Sequence, residues 1–260
     1  MTRRFAELTG PETRERLGDR SVLVLPIGAI EHHGAHLPLI TDALVAESVA
    51  SALVPAAHAA GMDIWQLPTL SVGKSDEHSW ASGTLWLTGE TLMATLVDIG
   101  RSLSLTPATK LVFVNGHGGN TALLQVANRE LRRRFGLMTF TMPAMRLPDA
   151  TVAPGEYEEH GLGVHGGYAE TSIVLHLRPD LVHPDRYRVV LPAAFAGWEH
   201  IGFNSKPVSF GWLSDDFGPE GIVGDPTAAN ADAGKEIFEH SVEAGLAALA
   251  EIDRFSLPAR

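Results

Sequence analysis

A chain of 260 residues, 45% hydrophobic and 20% charged, is long enough to bury a large core and lies within the size of one α/β domain. Its formal net charge of -11 argues against general nucleic-acid binding, which needs clustered Lys and Arg to neutralise phosphates. The absence of cysteine excludes disulfides, thiolate–metal sites and a cysteine nucleophile.

The first residues, MTRRFAELTGPETRERLG, are polar and charged, with no apolar run of the signal-peptide kind. Apolar stretches elsewhere are broken well short of the ~20 positions a membrane span needs, so no membrane partner is expected. A cytoplasmic location fits both features. Residues 21–30 (SVLVLPIGAI) are too continuously apolar for a one-sided sheet and read as a buried strand. Residues 42–57 carry apolar residues at helical spacing, with Thr41 and Asp42 as capping candidates. Residues 63–67 read as a short strand, 89–104 as a helix that leaves Trp86 in the core, and 110–115 (KLVFVN) as a buried strand. A helix over 120–135 ends on Arg132, Arg133 and Arg134, which complement the negative end of its dipole. A strand over 137–142 follows. Residues 143–167 then form a long loop with Pro, Gly and acidic residues, of the functional or mobile kind. Apolar residues at 169, 173, 174 and 177 predict a helix, 187–191 a further strand, and 227–253 a last helix after an irregular stretch. No internal repeat, linker or low-complexity tract divides the chain. The βαβα order predicts an α/β fold: a mainly parallel sheet with helices on both faces, in a single domain over 1–260. Polar residues just after the strands of such a sheet gather at one rim.

Three polar clusters fall there. The first is IEHHGAHLPLITD, residues 30–42, directly after the first strand. Glu31 and His33 are two apart and point the same way in extended backbone, while Asp42 opens the next helix. Two carboxylates and an imidazole suit Zn²⁺, Mn²⁺ or Fe²⁺; the bland reading makes Asp42 an N-cap and the histidines loop residues. The second, VNGHGGN, carries His117 at the end of the KLVFV strand on a glycine-rich turn. It lacks the G-x-G-x-x-G spacing and the G-K-[ST] of a phosphate cradle. The third, HGGYAETS, holds His165 in a glycine-flanked loop suited to a mobile acid–base group, and Glu170 at a helix start. Asp76, Glu77 and His78 form a polar patch that loop solvation explains; the alternative is a substrate-contacting wall of His78 and Trp80. Trp212 lies in the irregular stretch, and Tyr168 beside Glu170. These three aromatics, Trp80, Tyr168 and Trp212, are the candidate substrate contacts. There is no G-x-S-x-G elbow and no H-E-x-x-H, so serine-hydrolase and zincin readings lose support.

Taken together, PIGAIEHHGAHLPLITD, SDEHSWASGT, FVNGHGGN, HGGYAETS and GIVGDPTAANADAG, in order over roughly residues 20–235, resemble the creatininase (creatinine amidohydrolase) family. That resemblance implies a single three-layer α/β/α domain, assembly into a homo-oligomer, commonly a hexamer, and two divalent metal ions at the sheet's carboxyl edge. Carried over, Glu31 and His117 would hold one ion, His33 the other, and Asp42 would bridge them. His165 would shuttle a proton, with His78 as the second catalytic candidate. Creatininase proper has a glutamate two residues after the histidine matching His117, where this chain has Gly119. The second ion would then either take Glu170 as a substitute ligand or bind more weakly, and creatinine itself is disfavoured as substrate. Two ions about 3.5–4 Å apart would share a bridging hydroxide and polarise a carbonyl. The implied reaction is hydrolysis of a C–N bond in a small cyclic amide, formamide or related nitrogenous metabolite. The alternatives are a metallopeptidase trimming a small precursor peptide and a non-catalytic metal-binding protein.

Overall fold

In the computed structural model, which describes residues 2–148, 159, 162–195, 197–203 and 206–257, strands and helices alternate as the apolar patterning requires. The four strands are β1 (Val22–Ile27), β2 (Ile64–Gln66), β3 (Lys110–Asn115) and β4 (Met138–Pro143). They run parallel in the order β2-β1-β3-β4. The helices are α1 (Gly10–Arg16), α2 (Thr41–Ala59), α3 (Gly89–Leu103), α4 (Thr121–Phe135), α5 (Tyr168–Leu177) and α6 (Ala231–Arg254).

Strand alternation sorts the core into two. Val22, Val24, Val112 and Val114 face one side, where they pack with Val45, Val49 and Leu53 of α2, Ile173 of α5 and Ile237 of α6. Leu23, Leu25, Leu111 and Phe113 face the other and meet Leu92 and Leu96 of α3 and Leu124 and Leu131 of α4. Both faces are buried, which is why β1 is apolar throughout and β3 is apolar between Lys110 and Asn115 at its ends. The result is a three-layer α/β/α fold. From β1 the chain crosses by α2 on one face to β2; from β2 it returns by α3 on the other face to β3. The winding reverses between β1 and β3, and a crevice opens at their carboxyl ends.

Several sequence expectations are corrected. Residues 187–191 form no strand: Val190 makes an isolated antiparallel bridge to Gly224, a loop partner with no further ladder to extend. The last helix starts at Ala231 rather than 227, because the Asn230 side chain accepts from the Ala233 amide and caps it there. Trp86 is 41% exposed, not core. Helix α1 escaped periodicity because it buries none of its residues, although Thr9 and Glu12 form a capping box with Pro11 in its first turn. Helix α2 is preceded by Ile40, which gives no side-chain cap; Thr41 Oγ1 donates to Pro38 O at 2.7 Å instead. The basic end of α4 is as expected, with Arg132 donating to the carbonyl of Gly136, which sits in the left-handed region. Residues 149–158, 160 and 161 of the loop predicted over 143–167 lie outside the described residues. Among the described residues no helix is long and apolar enough to cross a membrane.

Candidate metal centre

The crevice at the β1–β3 switch is filled by the first turn of α2. Backbone reaches this close only because glycine faces it: a Cβ at Gly28 would fall on the Ala43 backbone, and one at Gly116 on Asp42 O. That approach delivers the Asp42 carboxylate, 3% exposed, between the segment after β1 and the segment after β3. Asp42 does not cap its helix. Oδ1 lies 3.2 Å from His33 Nε2, and Oδ2 lies 3.0 Å from His117 Nδ1. One carboxylate thus faces two imidazoles with separate oxygens.

Around it two donor sets assemble, each with its ligand atoms within 4.8 Å of one another: Glu31, Asp42 and His117, and His33, Asp42 and Glu170. Asp42 belongs to both. Glu31 is 1% exposed; its Oε2 lies 3.3 Å from His117 Nδ1 and accepts from Ser75 Oγ, and its Oε1 lies 3.5 Å from His78 and 3.6 Å from His165. Glu170, in the first turn of α5, accepts from Gly166 N at 2.6 Å.

The imidazoles share one arrangement. A carbonyl only accepts, so the nitrogen facing it must carry the proton. His33 Nδ1 faces Glu31 O at 3.1 Å, His117 Nε2 faces Lys74 O at 2.9 Å, and His165 Nε2 faces His32 O at 2.7 Å. In the neutral ring the opposite nitrogen of each is a lone pair aimed at carboxylate oxygen. Such a contact is repulsive unless a proton or a metal ion lies between. Asp42 Oδ2 is accordingly a buried atom without a hydrogen bond, close to a nitrogen that has no proton to give in that tautomer. The residues fit divalent ions: nitrogen and carboxylate donors converge, and their outer nitrogens are already anchored.

Electrostatics without a metal tells the same story. Burial disfavours a charged His33, yet Asp42, joined by Glu170 and Glu31, outweighs it and pushes the imidazole up to about 10. His117 is likewise raised well above its ordinary value, against burial, by Glu31 and Asp42. Burial and the Asp42 charge raise Glu31. Protons therefore occupy the positions that suit cations.

Local hydrogen bonds set the loops. Asn115 Oδ1 accepts from His117 N while its Nδ2 donates to His117 O at 2.7 Å, closing the turn that turns His117 inward. Asn120 donates to Gly28 O and accepts from Lys74 N, tying together the segments after β1, β2 and β3.

Other candidates fare differently. His165 is expected on a mobile loop; it is 6% exposed, in paired backbone hydrogen bonds with Val223, and burial with the neighbouring His33 and His78 holds its pKa well below the ordinary value. His78 is also buried, which lowers it to about 3. The cleft above the carboxylates, about 740 Å³, is lined by Lys74, His78, Gly118, Gln125, Phe210 and Trp212 among others. Trp212 is thus among the lining residues. Trp80 is not: its indole donates to Ser214 Oγ at 2.6 Å and its ring meets His32, away from the cleft. Tyr168 also turns away, toward Asn230 and Glu236 next to α6. Sequence reading missed Glu77, which solvation had explained: it is 14% exposed, with Oε1 3.2 Å from His117 Nε2.

The chain matches the creatininase (creatinine amidohydrolase) family model over residues 6–249. It belongs to the creatininase family. This family is one of amidohydrolases, and the chain is an enzyme of that class. Among creatininase-family relatives, a mycofactocin precursor peptide peptidase of Mycobacterium tuberculosis is 34% identical over 233 residues, 85% of this chain and 81% of that protein. A creatinine amidohydrolase of Pseudomonas putida is 36% identical over 206 residues, 74% of this chain and 78% of the other. The solved structure of a manganese creatininase superposes with a TM-score of 0.76 at 30% identity, covering 96% of this chain and 98% of that one.

Proposed function

We propose that this creatininase-family chain hydrolyses a C–N bond of a small amide-containing metabolite with two divalent metal ions held by Glu31, Asp42 and His117 on one side and His33, Asp42 and Glu170 on the other. The supporting observation is Asp42, whose two oxygens face two imidazoles that are each anchored from behind by a backbone carbonyl. Bound there, the ions would supply an acidified water and polarise the scissile carbonyl. The chain's own groups do the rest. Glu31 and Asp42 offset the cationic charge in a buried rim. His165 Nδ1, 3.6 Å from Glu31 Oε1 and uncommitted to backbone, is placed to hand a proton to the departing nitrogen. Trp212 and Phe210 wall the cleft and exclude water from the amide.

A second reading, trimming of a short peptide, is favoured by one feature: a cleft of about 740 Å³ exceeds what one small ring fills. The peptidase similarity points the same way. The test is metal analysis followed by a substrate screen with Mn²⁺- or Zn²⁺-loaded protein against lactams, cyclic ureides, formamides and short peptides. Two equivalents per chain are expected, with turnover in one substrate class. Asp42→Ala should lose both ions and all turnover. Retention of one ion by that variant would show that Asp42 serves only one side.

A further inference from the structure

Gly119 stands two residues beyond His117, and its backbone is not in the left-handed region that would call for glycine. Space is the reason. A Cβ there would lie within 3.0 Å of Glu77 Oε1, His117 Nε2 and Lys74 O, closer than side-chain carbons come to their neighbours. The room beside the outer nitrogen of His117 is instead filled from another part of the chain. Glu77, on the turn after β2, reaches in with Oε1 3.2 Å from Nε2, and Lys74 Nζ lies 3.7 Å from its other oxygen. His117 therefore stands between two acidic groups. Its inner nitrogen faces Glu31 and Asp42, and its outer one faces Glu77 and the Lys74 carbonyl.

We infer that Glu77 is a positioning residue for the metal pair: in the space Gly119 leaves open, its carboxylate lies 3.2 Å from the Nε2 that donates to Lys74 O, reinforces the tautomer with the Nδ1 lone pair inward, and strengthens that nitrogen as a donor. A carboxylate behind a ligating imidazole does both by polarising the N–H bond. The inference rests on the metal centre proposed above. The room that a side chain at position 119 would need is taken by Glu77, which stands against the ring and leaves the second ion to Glu170.

Competition for Zn²⁺ between the whole chain and a chromophoric chelator tests this, with the wild type, Glu77→Gln and Glu77→Ala side by side. Each should take two equivalents at saturation. One of the two should be held about 10–100-fold more weakly in Glu77→Ala, the usual effect of losing such a partner. Glu77→Gln should fall between, because an amide oxygen can still face Nε2 without the charge. The melting temperature of the metal-free variants should stay close to that of the wild type, whereas a merely structural role would lower it and leave the affinities alone. Equal affinities in Glu77→Ala and wild type would overturn the inference, as would a missing equivalent in Glu77→Ala at saturation, which would make Glu77 a ligand. Fewer than two equivalents in the wild type would overturn the centre itself along with it.

Discussion

His165 illustrates how a residue's surroundings reassign its work. A glycine-flanked loop suggested mobility, but Gly166 is there to adopt φ 66°, and the ring beside it is locked by the His32 carbonyl. The ring is neutral as it stands, since burial and two neighbouring imidazoles oppose its charge. A neutral imidazole with one free nitrogen can take a proton before it gives one. His165→Ala is therefore expected to keep two metal equivalents and lose about 10²–10⁴-fold in kcat, measured by metal analysis beside initial rates. Loss of an ion would mean that the trio of Glu31, His33 and His165 is itself a ligand set. At this scale the residues that converge on Asp42 were legible because each follows a strand end or opens a helix, where type and position carry meaning. Trp80 and Tyr168 were not, because an aromatic side chain in a loop says nothing about the direction it faces. Nor was Glu77, whose role depends on an emptiness at Gly119 that spacing does not reveal.

The same contrast holds for elements. Strands β1 and β3 were readable from unbroken apolar runs, and α3 and α4 from their periodicity, because burial on both faces or on one stripe writes itself into composition. The false strand over 187–191 had the right residues but only the single Val190–Gly224 bridge to pair with, a fact that only tertiary structure supplies. What positions the centre is the contact of α2 with the ends of β1 and β3, and glycine is its enabling residue. Gly116→Ala places a methyl against Asp42 O and Ala46 Cβ. Relief requires α2 to lift, carrying Asp42 with it. A loss of about 1–3 kcal/mol in stability is expected, as for overpacking generally, together with both metal ions. Gly118→Ala is the control for stability, because a Cβ there meets nothing within 4 Å. Denaturant unfolding of the two variants checks the pair; equal midpoints would show that the close approach of α2 is not under steric limit.

On the scale of the whole molecule, the alternation of strands and helices foretold a rim of polar residues, while the reversal between β1 and β3 that creates the crevice depends on strand order, which no local signal encodes. That crevice concentrates ionisable groups far from water, so stability and metal loading respond to pH in opposite senses. In the metal-free chain His33 is raised to about 10 and His117 well above its usual value, so the folded state holds protons there that the unfolded chain releases above 6.5. The folded form then binds more protons, and stability must fall as pH rises from 6.5 through the folded values. Glu31, raised by burial, acts in the same direction. Below 6.5 the buried His78, lowered to about 3, and His36, lowered to about 4, pull the other way. Asp42, lowered by His33 and His117 against burial, matters only at more acid pH. Above 6.5 the raised groups prevail until the alkaline range of Lys110, whose amine burial lowers. Metal ions compete with those same protons, so affinity rises where metal-free stability falls. The gap between the melting temperatures of metal-loaded and chelator-treated protein should therefore widen steadily from about pH 6.5 to about pH 9. Calorimetry across that range measures it directly, and a constant or narrowing gap would mean that the ions sit somewhere other than among Glu31, His33, Asp42 and His117.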